Sequence, residues 1–223
     1  AEKWFRLCGY PEKNIVPFGY FTDTPRNSNS SFSYDDPFNL IFIGQCIRRK
    51  GIDILIRSLH LLQKYAWRLR ILGDGRDKPD FEKMAHRLGL EKRITWCGAT
   101  EHSKAMNILA SADLLVLPSR WDGWGAVVNE SLMRGVPVVC SSNCGAADLI
   151  RNSNRGAVFQ SGSVHDCAAV LAQWISRGKP DAGMRKGIRH WSKNIEGATV
   201  ARYLLEKINH PHNSLDCVPP WTR

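Results

Sequence analysis

Short apolar runs alternate along the chain with stretches in which apolar residues recur every third or fourth position. The first run is Phe38-Asn39-Leu40-Ile41-Phe42-Ile43-Gly44, and Ile52, Leu55, Ile56, Leu59 and Leu62 then mark one face of a helix. Leu69-Arg70-Ile71-Leu72 is the next strand, closed by Gly73-Asp74-Gly75, and the spacing predicts a helix over 80–88 with Gly89 as its C-cap. Arg93 to Cys97 with Gly98 opens a third unit, with a helix over 101–110. Leu114 to Leu117 opens a fourth, stopped by Pro118 and followed by a helix over about 125–134. Val136 to Cys140 begins a fifth unit, with a short helix near 146–150, and Gly156 to Phe159 reads as a sixth strand. Helices then continue without strands, over 164–176, 182–190 and 195–208, the last with Val200, Tyr203, Leu204 and Ile208 on one stripe.

Strands and helices alternating at this interval predict an α/β fold: a Rossmann-like, doubly wound parallel sheet of about six strands with helices on both faces and extra C-terminal helices. The polar stretch 22–37, rich in Ser, Asn, Asp, Thr and Pro, is expected to be a linker. Residues 1–21 carry an apolar-aromatic stretch, expected as a helix end and an extended segment belonging to a preceding domain. The main domain is then 38–180, with helices and an irregular tail over 181–223.

The stretch from Ser119 to Glu130 concentrates the chemistry. A strand exit, a glycine loop (Gly123, Trp124, Gly125) and a helix start follow one another, which places free amides and the positive end of a helix dipole at the carboxyl edge of the sheet. Open α/β sheets bind ligands at that edge. Asp122 in the loop and Glu130 in the second helical turn are expected to face the occupant together. An unpaired acid among Val127, Val128, Leu132 and Met133 would be costly, which favours a function for Glu130 over a solvated position. Asp122 has the competing role of turn or cap residue, Lys50 that of a plain loop cation, and Gly73-Asp74-Gly75 that of a simple turn. Trp124 either walls the pocket or packs beneath it.

Composition narrows the class. Apolar residues make up 43% and charged residues 23% of 223, and no apolar run is long enough to span a bilayer. No signal peptide is evident, and Ala1 in place of Met suggests a processed chain or an excised piece. The net charge of +10 would suit an anionic partner, but Arg48, Arg49, Lys50, Arg68, Arg70, Arg185, Lys186 and Arg189 are scattered and are expected on solvated helix faces and loops. They form no recognised nucleic-acid module. Seven cysteines, an odd number without framework spacing, are expected to be reduced and mostly buried, with Cys97 and Cys140 as small hydrophobes. The histidines lack metal-ligand spacing, so no metal site is expected.

In this setting Asp122-x7-Glu130 within Pro-Ser-Arg-Trp-Asp-Gly-Trp-Gly, Gly135-x-Pro137-Val138-Val139, Ala112-Asp113 and Lys50-Gly51 resemble the carboxy-terminal, donor-binding domain of GT-B-fold retaining glycosyltransferases of the family-four (group 1) type. The similarity runs from about Phe38 to Arg177. It implies that Lys50 contacts the donor diphosphate, that Glu130 accepts bonds from ribose hydroxyls, and that Asp122 with loop amides holds hydroxyls of the transferred sugar. Gly44, Gln45, Lys50, Gly73, Thr100, Asp122, Gly123, Trp124, Gly125, Ala126, Val127 and Glu130 form the implied donor site, with Lys50, Asp122 and Glu130 as its catalytic residues. The sequence departs from the family at Gln45, where a basic second diphosphate ligand is frequent, and at Asp122, one methylene shorter than the usual Glu. Arg48 and Arg49 are candidates to compensate for Gln45.

The resemblance further implies a UDP-, GDP- or ADP-sugar as substrate, no cofactor, and an acceptor glycan or lipid-linked sugar held by an amino-terminal domain. It implies synthesis of polysaccharide or glycolipid in the cytoplasm, with peripheral contact at the inner face of a membrane as an option and no nucleic-acid partner. A non-catalytic nucleotide-sugar sensor or scaffold, a GT-B sugar-nucleotide epimerase and a basic nucleic-acid-binding protein are the alternatives.

Overall fold

The computed structural model describes residues 2–12, 15, 18–21, 37–209 and 219–222. Six parallel strands form one sheet in the order β3-β2-β1-β4-β5-β6, with β1 Phe38–Ile43, β2 Trp67–Leu72, β3 Ile94–Gly98, β4 Leu114–Leu117, β5 Val138–Ser141 and β6 Gly156–Phe159. The chain winds outward from β1 to β3, crosses back to β4, and winds outward again to β6. That reversal between β1 and β4 is the topological switch at which such sheets open a crevice. Leu40 pairs with both Leu69 and Leu114, fixing β1 at the centre.

The helices are α1 Glu2–Leu7, α2 Ile52–His60, α3 Lys78–Arg87, α4 His102–Ala110, α5 Ala126–Met133, α6 Val164–Arg177, α7 Ala182–Ser192 and α8 Gly197–Asn209. α2 packs between α3 and α6, and α5 packs on α7. β4 and β5 are buried at every position, as strands covered on both faces should be. β2 instead alternates, with Trp67 and Leu69 inside and Arg68 and Arg70 exposed. Its neighbour β3 is the sheet margin, and there Cys97 is exposed, contrary to its expected place as a small core residue. Cys46, Cys140, Cys144 and Cys167 are buried free thiols, and Cys217 lies outside the described residues.

Three local differences from the periodicity have physical causes. The short helix expected near 146–150 is a 3-10 segment, Gly145–Leu149, because it is tied at its start to the loop before α5 through Gly145 N–H to Asp122 O and Ala146 N–H to Trp124 O. The last helix begins only at Gly197, after a separate 3-10 turn, Lys193–Ile195. Arg48–Lys50 forms a 3-10 turn that no apolar periodicity announces, since none of its residues is buried.

Arg185, expected on a solvated face, is 1% exposed. Its guanidinium donates to Ala112 O at 2.8 Å and Pro180 O at 3.3 Å and pairs with Asp113 at 3.3 Å. Asp113 also accepts from the backbone N–H of Asn39 at 2.8 Å, and Lys179 stands 3.9 Å away. This cluster bolts α7 to the amino ends of β1 and β4. The expected linker 22–37 lies outside the described residues except for Pro37, and among those described no helix is long and apolar enough to cross a membrane.

Candidate functional site

The carboxyl ends of β1, β2 and β3 open into a pocket of about 330 Å³ lined by Ile43, Gly44, Gln45, Leu72, Gly73, Asp74, Ala99, Thr100 and Ala105. Four of the residues singled out by sequence, Gly44, Gln45, Gly73 and Thr100, therefore meet around one space. The Thr100 hydroxyl donates to Gly98 O at 3.2 Å, whereas Gln45 is exposed.

Lys50 reaches this region from the 3-10 turn after β1. Its Cε comes within 4.0 Å of where a Cβ on Gly44 would stand. The turn is closed by Gly51, which has φ 71°, and a Cβ at that position would overlap the Pro118 carbonyl oxygen. Only glycine permits both the left-handed conformation and this approach of the turn to the end of β4. Lys50 Nζ lies 2.6 Å from Asp122 Oδ2, with the two side chains 16% and 10% exposed. The Ser119 hydroxyl donates to the same oxygen at 3.2 Å.

Asp122 is buried because its backbone is woven into the neighbouring segment. It pairs with Cys144 as an isolated parallel bridge, and its N–H donates to Asn143 O at 3.0 Å. Cys144 Sγ–H donates to Trp124 O at 3.0 Å. α5 follows with Gly125, φ 88°, at its N-cap and no side chain capping it, so Ala126 and Val127 open the helix with amides directed off its end. A Cβ on Gly125 would lie 2.7 Å from Cys144 Sγ and 2.8 Å from Leu117 Cδ2, which explains the glycine. Gly123 is exposed on the loop.

Glu130 lies on the half-buried side of α5, 22% exposed, with its carboxylate 3.8 Å from His102 Nε2 at the start of α4. The acids thus do different things: Asp122 is drawn back onto Lys50, while Glu130 extends to His102 at the start of α4, and neither is among the residues that line the pocket. Trp124 packs on residues before the main domain. Its ring stands 5.5 Å from Phe21, and its indole N–H donates to Asn129 Oδ1 at 2.9 Å. Asn129, fully buried, donates in turn to Tyr20 O. Of the two roles open to Trp124 from sequence, this geometry is that of packing.

Sequence reasoning missed the framework that brings Lys50 to Asp122. Arg120 makes a two-pronged ion pair with Asp53, 2.7 Å on each arm, and also donates to Arg48 O at 2.8 Å through the side chain and to Arg49 O at 2.8 Å through the backbone N–H. Burial alone would raise the Asp53 carboxyl, but the hydrogen bonds and charge of Arg120 outweigh it and hold it below 3.8; the same bonds raise Arg120. The Arg120 side chain is 44% exposed, so the pair is worth only about 0–1 kcal/mol of stability. Arg49 donates to Trp121 O and sits 5.7 Å over the exposed Trp121 ring. Spacing did contain one clue: Arg120 falls next to Ser119 in the loop, and Asp53 is the acid in the first turn of α2.

Among the described residues no group of three or more His, Cys, Asp or Glu could hold a metal ion. The arrangement offers the Lys50 ammonium beside the pocket, a helix N-terminus, and two carboxylates suited to hydroxyl groups.

A family model described as glycosyl transferases group 1 matches residues 23–191, and the chain belongs to that family. An uncharacterized glycosyltransferase of Methanocaldococcus jannaschii is 30% identical over 123 residues, covering 55% of this chain and 32% of that protein. The lipopolysaccharide glucosyltransferase WaaG of Escherichia coli K12 is 27% identical over 172 residues, 75% of this chain and 41% of the relative. The chain thus spans roughly a third to two fifths of the length of these curated relatives. Among solved structures, the lipopolysaccharide outer core galactosyltransferase WaaB superposes with a TM-score of 0.73 at 19% identity, over 94% of this chain and 58% of that one. Anabaena HepE, solved with UDP and glucose, superposes with a TM-score of 0.64 at 20% identity, over 78% of this chain and 48% of that one. The shared architecture is GT-B, of which this chain is a carboxy-terminal-type domain.

Proposed function

We propose that the chain is the donor-binding half of a retaining, metal-independent glycosyltransferase that takes a nucleotide sugar and works in the synthesis of cell-surface polysaccharide or glycolipid. The observation that carries this is the convergence of Gly44, Gln45, Gly73 and Thr100 on one pocket at the sheet's carboxyl edge, with the Lys50–Asp122 pair beside it. The lipopolysaccharide roles named for WaaG and WaaB and the UDP and glucose bound to HepE support the same donor chemistry.

Glycosyl transfer leaves negative charge on the departing diphosphate, and fixed positive groups aimed at that oxygen lower the barrier most. In this reading the diphosphate takes Lys50 from Asp122, and the amides of Ala126 and Val127 share the charge. Asp122, released, accepts from hydroxyls of the transferred sugar, and Glu130 accepts from the ribose diol. No side chain is required as a nucleophile, since retention by front-face attack needs none. The acceptor is held by a further domain, and the enzyme works at the cytoplasmic face of a membrane.

Calorimetric titration with UDP, GDP, ADP and their common sugar conjugates, in EDTA, tests this. Selective binding of one nucleotide family, weakened about 10- to 100-fold by Lys50→Ala and by Glu130→Ala, is expected from the loss of a hydrogen bond to a charged group. Folded protein that binds none of them would overturn the donor reading.

A further inference from the structure

The Lys50 turn and the Asp122 loop come from opposite sides of the switch point, 72 residues apart in the chain, and must be brought into register before either can meet a ligand. Four polar contacts join the two segments besides the Lys50–Asp122 pair itself. Arg120 N–H donates to Arg49 O at 2.8 Å, its guanidinium donates to Arg48 O at 2.8 Å and forks onto Asp53 at 2.7 Å, and Arg49 donates to Trp121 O at 3.2 Å. Three of the four run through Arg120. Its planar fork lies between the carbonyl of the Lys50 turn and the first-turn carboxylate of α2, so it fixes both the height and the rotation of that turn. Its half-exposed pair with Asp53 adds little to stability, which leaves positioning as what so many directed bonds accomplish.

We propose that Arg120, clamped by Asp53, is the positioning residue that sets Lys50 at the height where a ligand's second phosphate meets it. This rests on the donor reading of Lys50 above. Arg120 touches neither the pocket nor, in this account, the nucleotide: it acts through the backbone of Arg48 and Arg49.

A merely structural residue would weaken every nucleotide alike, whereas a positioning residue for Lys50 acts on the second phosphate. The test compares binding of nucleoside diphosphates and monophosphates (UDP and UMP, GDP and GMP, ADP and AMP) by calorimetry in the wild type, Arg120→Gln, Arg120→Lys and Asp53→Asn. Arg151→Gln serves as control, because it removes another half-exposed Arg–Asp pair, one between β5 and β6 that makes no contact with the Lys50 turn. Diphosphate affinity is expected to fall about tenfold in Arg120→Gln with monophosphate affinity within twofold, Arg120→Lys being intermediate and Arg151→Gln unchanged. The same proteins are treated with an amine-acylating ester and Lys50 modification is followed by mass spectrometry, a readout that needs no nucleotide. Lys50 is expected to react several-fold faster once Arg120 no longer fixes the turn that carries it. Equal losses for mono- and diphosphates, or unchanged ratios together with unchanged Lys50 reactivity, would overturn the proposal. If the wild type binds no nucleotide while Lys50 reactivity still rises in Arg120→Gln, the donor reading falls and the clamp stands.

Discussion

β4 has an aspartate just beyond each of its ends, and the two are held in opposite ways. Asp113, before the strand, is 3% exposed and meets a buried arginine, a lysine and a backbone N–H. Asp122, after it, meets one lysine and one hydroxyl. The partners explain the difference. Arg185 spreads its fork over Ala112 O, Pro180 O and Asp113 at once, so it cannot leave one without abandoning all. Lys50 is a point charge on a flexible stem, 16% exposed, with proton donors it can turn to another acceptor. A buried acid held by a committed fork is a bolt, and on the donor reading proposed above one held by a lysine beside a pocket is a latch.

The largest effect should come from the bolt. Arg185→Leu leaves Asp113 buried with a weaker counter-ion and should lower the unfolding free energy by about 3–5 kcal/mol, measured by urea denaturation. Nucleotide affinity of the remaining folded fraction should not change. Next comes the latch: Lys50→Ala should cost about 1.5–3 kcal/mol of diphosphate binding. Its cost in stability should be smaller than that of Arg185→Leu, because water can enter where the partly exposed ammonium stood. Asp122→Asn sharpens the contrast, since it releases Lys50 without removing it. Nucleoside diphosphate should then bind two- to fivefold more tightly, while the additional affinity of the sugar conjugate over the bare diphosphate disappears.

The smallest effect concerns acid. The Asp53 carboxyl is held below its usual 3.8, so the folded state binds fewer protons than the unfolded one as pH falls past that value. Its contribution is complete above 3.8 and is lost on descending through the lowered folded value. With Arg120 44% exposed, the wild type should lose at most about 1 kcal/mol more than Asp53→Asn between pH 6 and pH 3, read from denaturation midpoints.

Much of this architecture is written in local pattern. The apolar runs at 38–43 and 114–117 and the glycine-marked exit before α5 need no distant information, because a buried parallel strand is apolar throughout and a helix start has its own chemistry. Gly44, Gln45, Gly73 and Thr100 were legible for the same reason, each being the first residue or two past a strand. Arg185 was not: α7 has few apolar residues, and the group that makes its burial tolerable lies 72 positions earlier. Cys97 misled because a small apolar residue in a strand looks buried until β3 is known to be the margin of the sheet. The Lys50–Asp122 pair was hidden in a different way. Both residues stood out, but their union depends on a 3-10 turn without apolar signature and on Arg120, whose charge says nothing of the carboxylate it clamps.

The claim that the two ends of β4 divide stability from ligand binding is tested most directly by measuring urea midpoints and nucleoside diphosphate affinity side by side for Lys50→Ala and Arg185→Leu, with Arg185→Lys as the milder change. A crossed result is predicted: Arg185 variants lose stability and keep affinity, while Lys50→Ala loses affinity at least tenfold and keeps most of its stability. If Lys50→Ala is destabilised as much as Arg185→Leu and binds diphosphate as well as the wild type, both aspartates are bolts and the latch does not exist.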